Sequence, residues 1–230
     1  MTFGGMRVIT PRLKCIIEHT KGTRIADIGT DHAYIPIYLI ENKKADYIVA
    51  GDIRKGPVEI AKTNVEKHKL SDKIDVRLGS GLSILNMGDV DTIIIAGMGG
   101  QLISEIIDEN LKIARSCSLV LQPMNAQYEL RKYIIKNGFK IADEDIVLEG
   151  FKVYNIMNVT NGSQAEFEND IEYHLPKYLK NHKYYKNLYE KKHREFTKVI
   201  NGLENSKNTD TEKLNLYKYW LKELEKYESE

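Results

Sequence analysis

Arg24-Ile25-Ala26-Asp27-Ile28-Gly29-Thr30-Asp31-His32-Ala33-Tyr34 decides how the rest of the chain is read. A short apolar strand runs into an acid, a glycine, a second acid and a histidine, and Ile37, Leu39 and Ile40 then take up helical spacing. In a strand–loop–helix unit this loop lies at the carboxyl end of the strand, where open α/β sheets bind ligands. A phosphate cradle would set glycines and a lysine there; this chain sets Asp27 and Asp31. The loop therefore suits a cationic, non-phosphate cofactor, with Gly29 letting the turn pass close to it. Asp31 also stands where a helix N-cap could, so a purely structural role stays open for it.

Outward from this stretch, strand and helix alternate. Strands are expected at Arg24–Ile28, Tyr47–Asp52, Ile74–Leu78, Thr92–Ala96 and Leu119–Gln122, with helices near 32–42, 57–68, 99–109 and 126–137. Ile93-Ile94-Ile95 is apolar and β-branched throughout, as a strand covered on both faces should be. Repeats of this length predict a parallel sheet. Lys140–Val147 and Lys152–Thr160 then flank Leu148-Glu149-Gly150-Phe151, which predicts a closing antiparallel hairpin. Before the first strand, Thr10-Pro11 caps a helix that ends near His19.

Composition bounds the function classes. The chain has 230 residues, 42% of them hydrophobic, which suits one α/β domain with an appendage. Its 34 basic and 33 acidic residues nearly cancel, so any nucleic-acid contact must rest on a local patch. Cys15 and Cys117 are far apart in apolar surroundings, which points to buried thiols and to neither a disulfide nor a metal site. With no signal-peptide pattern and no long apolar run, the expected compartment is cytoplasmic, and no membrane or metal partner is expected.

Four further loops follow strand ends. Ala50-Gly51-Asp52, with Ile53 next, puts an acid where it can take both hydroxyls of a ribose, 20–25 residues after the first loop. Gly79-Ser80-Gly81 can approach a ring edge, although an ordinary glycine turn explains it as well. Ala96-Gly97-Met98-Gly99-Gly100 presses backbone against something, and it is not a nucleoside-triphosphate loop. Gln122-Pro123-Met124-Asn125 lies where a substrate edge would, or is a plain turn.

Five parallel strands closed by an antiparallel pair match the element order of S-adenosylmethionine-dependent, Rossmann-like methyltransferases. More specifically, Ile25 to Pro36, Ala50-Gly51-Asp52 through Gly56-Pro57, Ile95 to Gly100 and Leu121-Gln122-Pro123 resemble the bacterial tRNA (adenine(22)-N(1))-methyltransferases in order and spacing. The resemblance covers the first 160 residues. It implies an α/β fold with a seven-stranded, mostly parallel sheet, and methyl transfer from S-adenosylmethionine to N1 of a D-arm adenine in tRNA. It makes Asp27, Gly29, Thr30, Asp31, His32, Asp52, Ile53, Gly79, Ser80, Gly81, Ala96, Gly97 and Met98 candidates for the cofactor. Gly99, Gln122, Pro123 and Asn125 are candidates for the substrate. Adenine N1 has its own lone pair, so no strong base is needed; Asp31 is the catalytic candidate, for the charge of the methylated base or for the cofactor's ammonium. The Gly97–Gly100 loop also lacks the acid, prolines and aromatic that grip an exocyclic amine.

Residues 161–230 read as a separate helical hairpin, coiled-coil-like, after the Asn161-Gly162-Ser163 break. Between His174 and Lys198 stand seven lysines and one arginine against two glutamates, with four tyrosines interleaved. That local excess makes Lys183, Lys186, Lys191, Lys192 and Arg194 candidates for tRNA contact, with Arg7, Arg12 and Lys14 as a second group. A monomer is expected. Two other readings remain: a methyltransferase acting on a small molecule or protein, and a non-catalytic module using the hairpin to hold a partner. An NAD enzyme is disfavoured because the first loop lacks Gly-x-Gly-x-x-Gly.

Overall fold

The structure is a computed structural model describing residues 2–3, 6–7 and 9–229; the side chains of residues 2, 3, 6, 7, 228 and 229 lie outside that description, and with them the expected role of Arg7. The chain divides into two compact units, Met1–Ala165 and Glu166–Glu230. The division falls five residues beyond the one expected from the Asn161-Gly162-Ser163 break, because the last strand runs through Asn161.

In the first unit a two-stranded ribbon, β1 (Thr2–Phe3) and β2 (Met6–Arg7), precedes helix α1 (Pro11–Glu18). Thr10 caps α1 by accepting the Leu13 N–H, and proline follows at the first helical position. Strand β3 (Arg24–Ile28), α2 (Tyr34–Glu41), β4 (Tyr47–Asp52), α3 (Lys55–Lys67) and β5 (Ile74–Leu78) come next. Then follow β6 (Thr92–Met98), α4 (Gly100–Glu109), α5 (Leu111–Ser116), β7 (Ser118–Pro123), α6 (Gln127–Lys136), β8 (Phe139–Glu149) and β9 (Lys152–Asn161). The seven-stranded sheet has the order β5-β4-β3-β6-β7-β9-β8, with β9 antiparallel to both neighbours. The expected five parallel strands and closing hairpin are present. Helix α5 has no counterpart in the sequence reading, since six residues carry too short a period to read; Asn110 starts it by accepting the Ile113 N–H.

Alternate residues of the buried strands serve two cores. Ala26, Ile28, Ile93, Ile95, Leu119 and Leu121 face α4, α5 and α6, meeting Ile103, Ile107, Ile113, Leu130 and Ile134. Ile25, Ile48, Ala50, Ile94 and Val120 face α1, α2 and α3, meeting Ile16, Ile17, Leu39, Ala61 and Val65. The hairpin is tied to α6 by Arg131 and Glu144, both fully buried, whose Nη2–Oε1 distance is 2.5 Å, while Asn155 donates to the same carboxylate at 2.8 Å. Because β9 is antiparallel to β7 and β8 to β9, the hairpin tip at Glu149–Lys152 lies at the same sheet edge as the carboxyl ends of β3, β4 and β6.

The second unit holds short α7 (Ile171–His174), α8 (Tyr185–Glu204) and α9 (Thr211–Ser229). The helical pair is as expected, but α8 begins at Tyr185, so Tyr178 precedes it instead of joining its seam. His174, Phe196, Tyr217 and Trp220 form its aromatic centre, with His174 and Trp220 ring centroids 4.4 Å apart. Among the described residues no helix is long and apolar enough to cross a membrane.

Candidate active site

Sheet register assembles the site. Ile28 pairs with Gly51 on one side and Ile95 on the other, so Asp27, Asp52 and Ala96 end at one edge. A cavity of about 470 Å³ opens there. Asp27, Gly29, Thr30, Asp31, Asp52, Ala96, Gly97 and Met98, all expected from sequence, line it. So do Thr10, Arg12, Leu13, Tyr34 and Arg54, which were not assigned to the cofactor.

The first loop is held to the next strand by two backbone bonds, Gly29 N–H and Thr30 N–H to Gly51 O at 2.7 and 3.0 Å. Gly29 turns at φ +80°, and a Cβ there would strike the Met98 methyl. Asp31 and Ala33 also take left-handed backbone, φ 47° and 58°. Ala33, with no side-chain oxygen, holds the N-cap position of α2. Asp31 is thus not the cap. Its carboxylate stands at the cavity mouth, 62% exposed and 3.5 Å from His32 Nε2.

Asp27 differs sharply. It is buried and its pKa is pushed up from 3.8 to about 6, chiefly by loss of water and further by the charge of Asp52. The nearby Thr30 hydroxyl offsets part of this. That hydroxyl is itself buried and meets no partner at hydrogen-bonding geometry. Asp52 is also buried, its Oδ1 accepting the Arg54 N–H at 2.8 Å. A buried carboxylate beside an unsatisfied hydroxyl is the arrangement a cationic ligand completes. S-adenosylmethionine fits it: ammonium and sulfonium for the acids, ribose hydroxyls for Asp52 and a carboxylate for a guanidinium.

Several expected residues are placed elsewhere. His32 does not line the cavity; its ring stacks on Tyr34 at 5.2 Å and its carbonyl accepts from Asn64. Ile53 is 66% exposed beside Asp52. Gly79, Ser80 and Gly81 border Asp52 through Gly79 N–H to Asp52 O at 3.1 Å, but they do not line the cavity. Their form follows the packing of the 3-10 turn at Gly81–Ile84: a Cβ at Gly79 would meet Ile84, and one at Gly81 would meet Glu109.

On the substrate side Gln122 is fully buried. Its Oε1 accepts from Arg12 Nη1 at 2.8 Å and from Gly97 N–H at 3.2 Å, so it positions two parts of the wall and is not itself available to a substrate. This corrects its expected contact role. Arg12, expected to face tRNA, is instead held in the cavity wall by Gln122 and over the Tyr154 ring at 5.6 Å. Its partner lies 110 residues away, beyond any local signal. Gly99 and Gly100 press against the loop after β7: Gly100 N–H donates to Asn125 O at 3.1 Å, and a Cβ at Gly100 would collide with the Ala126 carbonyl. Met124 N–H closes the ridge on Met98 O at 2.8 Å. Pro123 is buried in this ridge and Asn125 is exposed on it.

In the second unit Lys183, Lys186 and Arg194 are exposed. Lys192 is buried and pairs with Glu195 at 2.8 Å, and burial beside Lys192 holds the Lys191 ammonium below its usual pKa. Neither suits an outward phosphate contact, which narrows the expected basic patch.

A family model described as a methyltransferase domain matches residues 9–157. The chain is 38% identical over 158 residues to the tRNA (adenine(22)-N(1))-methyltransferase of Bacillus subtilis, a match covering 68% of this chain and 66% of that protein. A Mycoplasma genitalium putative tRNA methyltransferase is 30% identical over 135 residues, 60% of its length, so these sequence matches span about two thirds or less of the curated relatives. Similarity in structure runs further. A Streptococcus agalactiae protein of the NADB-Rossmann superfamily superposes with TM-score 0.86 at 34% identity, covering 96% of this chain and 97% of that one. M. capricolum TrmK, solved with S-adenosyl-homocysteine, gives 0.80 at 27% identity over 96% and 97%. With the cavity, the strand order and these matches in agreement, the chain belongs to the bacterial tRNA (adenine(22)-N(1))-methyltransferase family.

Proposed function

We propose that this chain transfers a methyl group from S-adenosylmethionine to N1 of an adenine in tRNA, at position 22 as in its B. subtilis relative. The observation that carries the reading is the pair of buried carboxyls, Asp27 and Asp52, set with Arg12 around a cavity at the carboxyl edge of the sheet.

When bound, S-adenosylmethionine supplies an electrophilic methyl group on a sulfonium. Asp27 and Thr30 would hold its ammonium, which favours the ionised form of the Asp27 carboxyl. Arg12, steered by Gln122, faces its carboxylate. Asp52 accepts the ribose hydroxyls while Arg54 N–H anchors its Oδ1. Adenine N1 has its own lone pair to form the new N–CH3 bond, and the S–CH3 bond would break with its electron pair passing to the sulfonium sulfur, which leaves as the neutral thioether. The chain's task is placement, which falls to the ridge formed by Gly97–Gly100 and Pro123–Asn125. Asp31, exposed at the mouth, would face the positive charge that the methylated base gains. The division between a buried and an exposed acid supports giving Asp27 to the cofactor and Asp31 to the base. N1 lies on the pairing edge, so the base is turned outward to reach the site.

Lys183, Lys186 and Arg194 contribute phosphate contacts. A tRNA substrate favours the cytoplasm. The test is methylation of undermodified tRNA with labelled cofactor, followed by nucleoside analysis. N1-methyladenosine is expected, lost when position 22 is changed. Label on another nucleoside, or turnover of free adenosine unaided by tRNA, overturns the reading in favour of another substrate.

A further inference from the structure

Away from the cavity mouth, the fold collects three different metal-binding donors that are far apart in sequence. Cys15 and His19 stand four residues apart on or just after α1, on one face of the helix. Asp145 of β8 meets both, with its Oδ2 3.5 Å from Cys15 Sγ and 3.4 Å from His19 Nε2. All three donor atoms lie within 4.8 Å of one another. A tetrahedral zinc ion with bonds of about 2.3 Å to sulfur, about 2.05 Å to nitrogen and about 2.1 Å to oxygen requires S···O and N···O edges of about 3.6 and about 3.4 Å. The S···O and N···O edges match these values, and the S···N edge lies within 4.8 Å.

The surroundings complete the set. His19 Nδ1, the nitrogen turned away from Asp145, has the Asn158 amide at 2.8 Å and Asp143 Oδ2 at 3.7 Å. Groups in that position fix the tautomer of a metal-bound histidine. Cys15 is buried, while the Asp145 side chain is 37% exposed and so reaches solvent.

We propose that Cys15, His19 and Asp145 form a three-ligand site for a thiophilic divalent cation, zinc foremost, with water as the fourth ligand. Without the ion the thiol donates to Asp145, and burial next to that acid pushes it up to about 12. Binding replaces the thiol proton, which leaves to solvent. His19 binds through Nε2 and carries its proton on Nδ1, toward Asp143 and, after a half-turn of the amide, Asn158 Oδ1. The ion clips α1 to β8. Thr10 and Arg12, at the other end of that helix, line the cofactor cavity, so the clip braces its wall.

The test is cobalt(II) titration of the reduced, metal-stripped full chain. One cobalt per chain is expected, with near-ultraviolet thiolate-to-cobalt charge transfer and the intense visible bands of tetrahedral cobalt, all displaced by zinc. Cys15→Ser should remove the charge-transfer band and Cys117→Ser should retain it. Asp145→Asn should weaken binding by about tenfold or more. No charge-transfer band in the parent chain, or a band that survives Cys15→Ser, overturns the site. Where Cys15→Ser does not fold, the parent chain decides: zinc raises its unfolding temperature and magnesium does not. A zinc-independent melt, or equal shifts with both ions, overturns it.

Discussion

Replacing Asp27 with asparagine separates the cost of a buried charge from its use. In the folded chain the carboxyl titrates near 6 instead of 3.8, because burial and Asp52 disfavour the anion. That gap, at about 1.36 kcal/mol per pH unit, amounts to about 3 kcal/mol. Between those two values the folded state keeps a proton that the unfolded chain has lost. The stability owed to the neutral carboxyl is therefore complete below about pH 4 and is lost as pH rises through about 6. Asparagine imitates the neutral form at every pH. Ligand-free Asp27→Asn should match the parent near pH 4 and exceed its stability by up to about 3 kcal/mol at pH 7.5. Urea unfolding followed by far-ultraviolet circular dichroism reads both units; the fluorescence of the single tryptophan, Trp220, reports on the second unit alone and serves as the internal control. The same variant should bind S-adenosylmethionine about 100-fold more weakly or worse, having lost the charge that meets the ammonium. A variant less stable than the parent at pH 7.5, or a stability difference equal at both pH values, refutes the reasoning.

Asp31→Ala should lower methylation kcat by about 100-fold or more while leaving cofactor affinity within a few-fold, as calorimetry beside single-turnover assays would show. Equal losses in both would place Asp31 on the cofactor. Gly100→Ala pushes a methyl into the Ala126 carbonyl and should cost about 1–3 kcal/mol in thermal or urea unfolding, with the ridge after β7 displaced. Arg131→Ala removes the cation that the buried Glu144 meets and should cost about 3–5 kcal/mol; Tm and urea midpoint report it. Lys183→Ala, Lys186→Ala and Arg194→Ala together should weaken tRNA binding and flatten its salt dependence by about three charges' worth, with cofactor binding unchanged.

Local pattern made most of the fold readable. β3, β4 and β5 begin and end where expected: Ile25–Ile28 and Ile48–Asp52 are buried along the central strands, while the edge strand β5 alternates Ile74, Val76 and Leu78 with Asp75 and Arg77. The acidic first loop and Asp52 were legible because each follows directly on a strand end. Helix α5 was too short to show a period, and the boundary of α8 was blurred because Tyr178 continues its spacing without being helical. Within the site, Asp31 looked like a helix cap from its spacing alone, and only the backbone placed Ala33 in that position. Lys192 looked like surface charge in a basic run, and it is buried against Glu195.

The sequence by itself determined the alternation of strand and helix, the acidic character of the loop after β3 and the family resemblance, because these are properties of neighbouring residues. Tertiary structure alone decided what each charge does. Asp27 has its pKa raised to about 6 because the sheet buries it beside Asp52, and Asp31 stands beside His32 at the mouth because the turn places it there. Arg12 belongs to the cavity because Gln122, 110 residues away, holds it there. Cys15, His19 and Asp145 form one cluster only because α1 packs on β8. Burial and through-space charge set the chemistry of an ionisable group, and both are fixed only when distant segments meet.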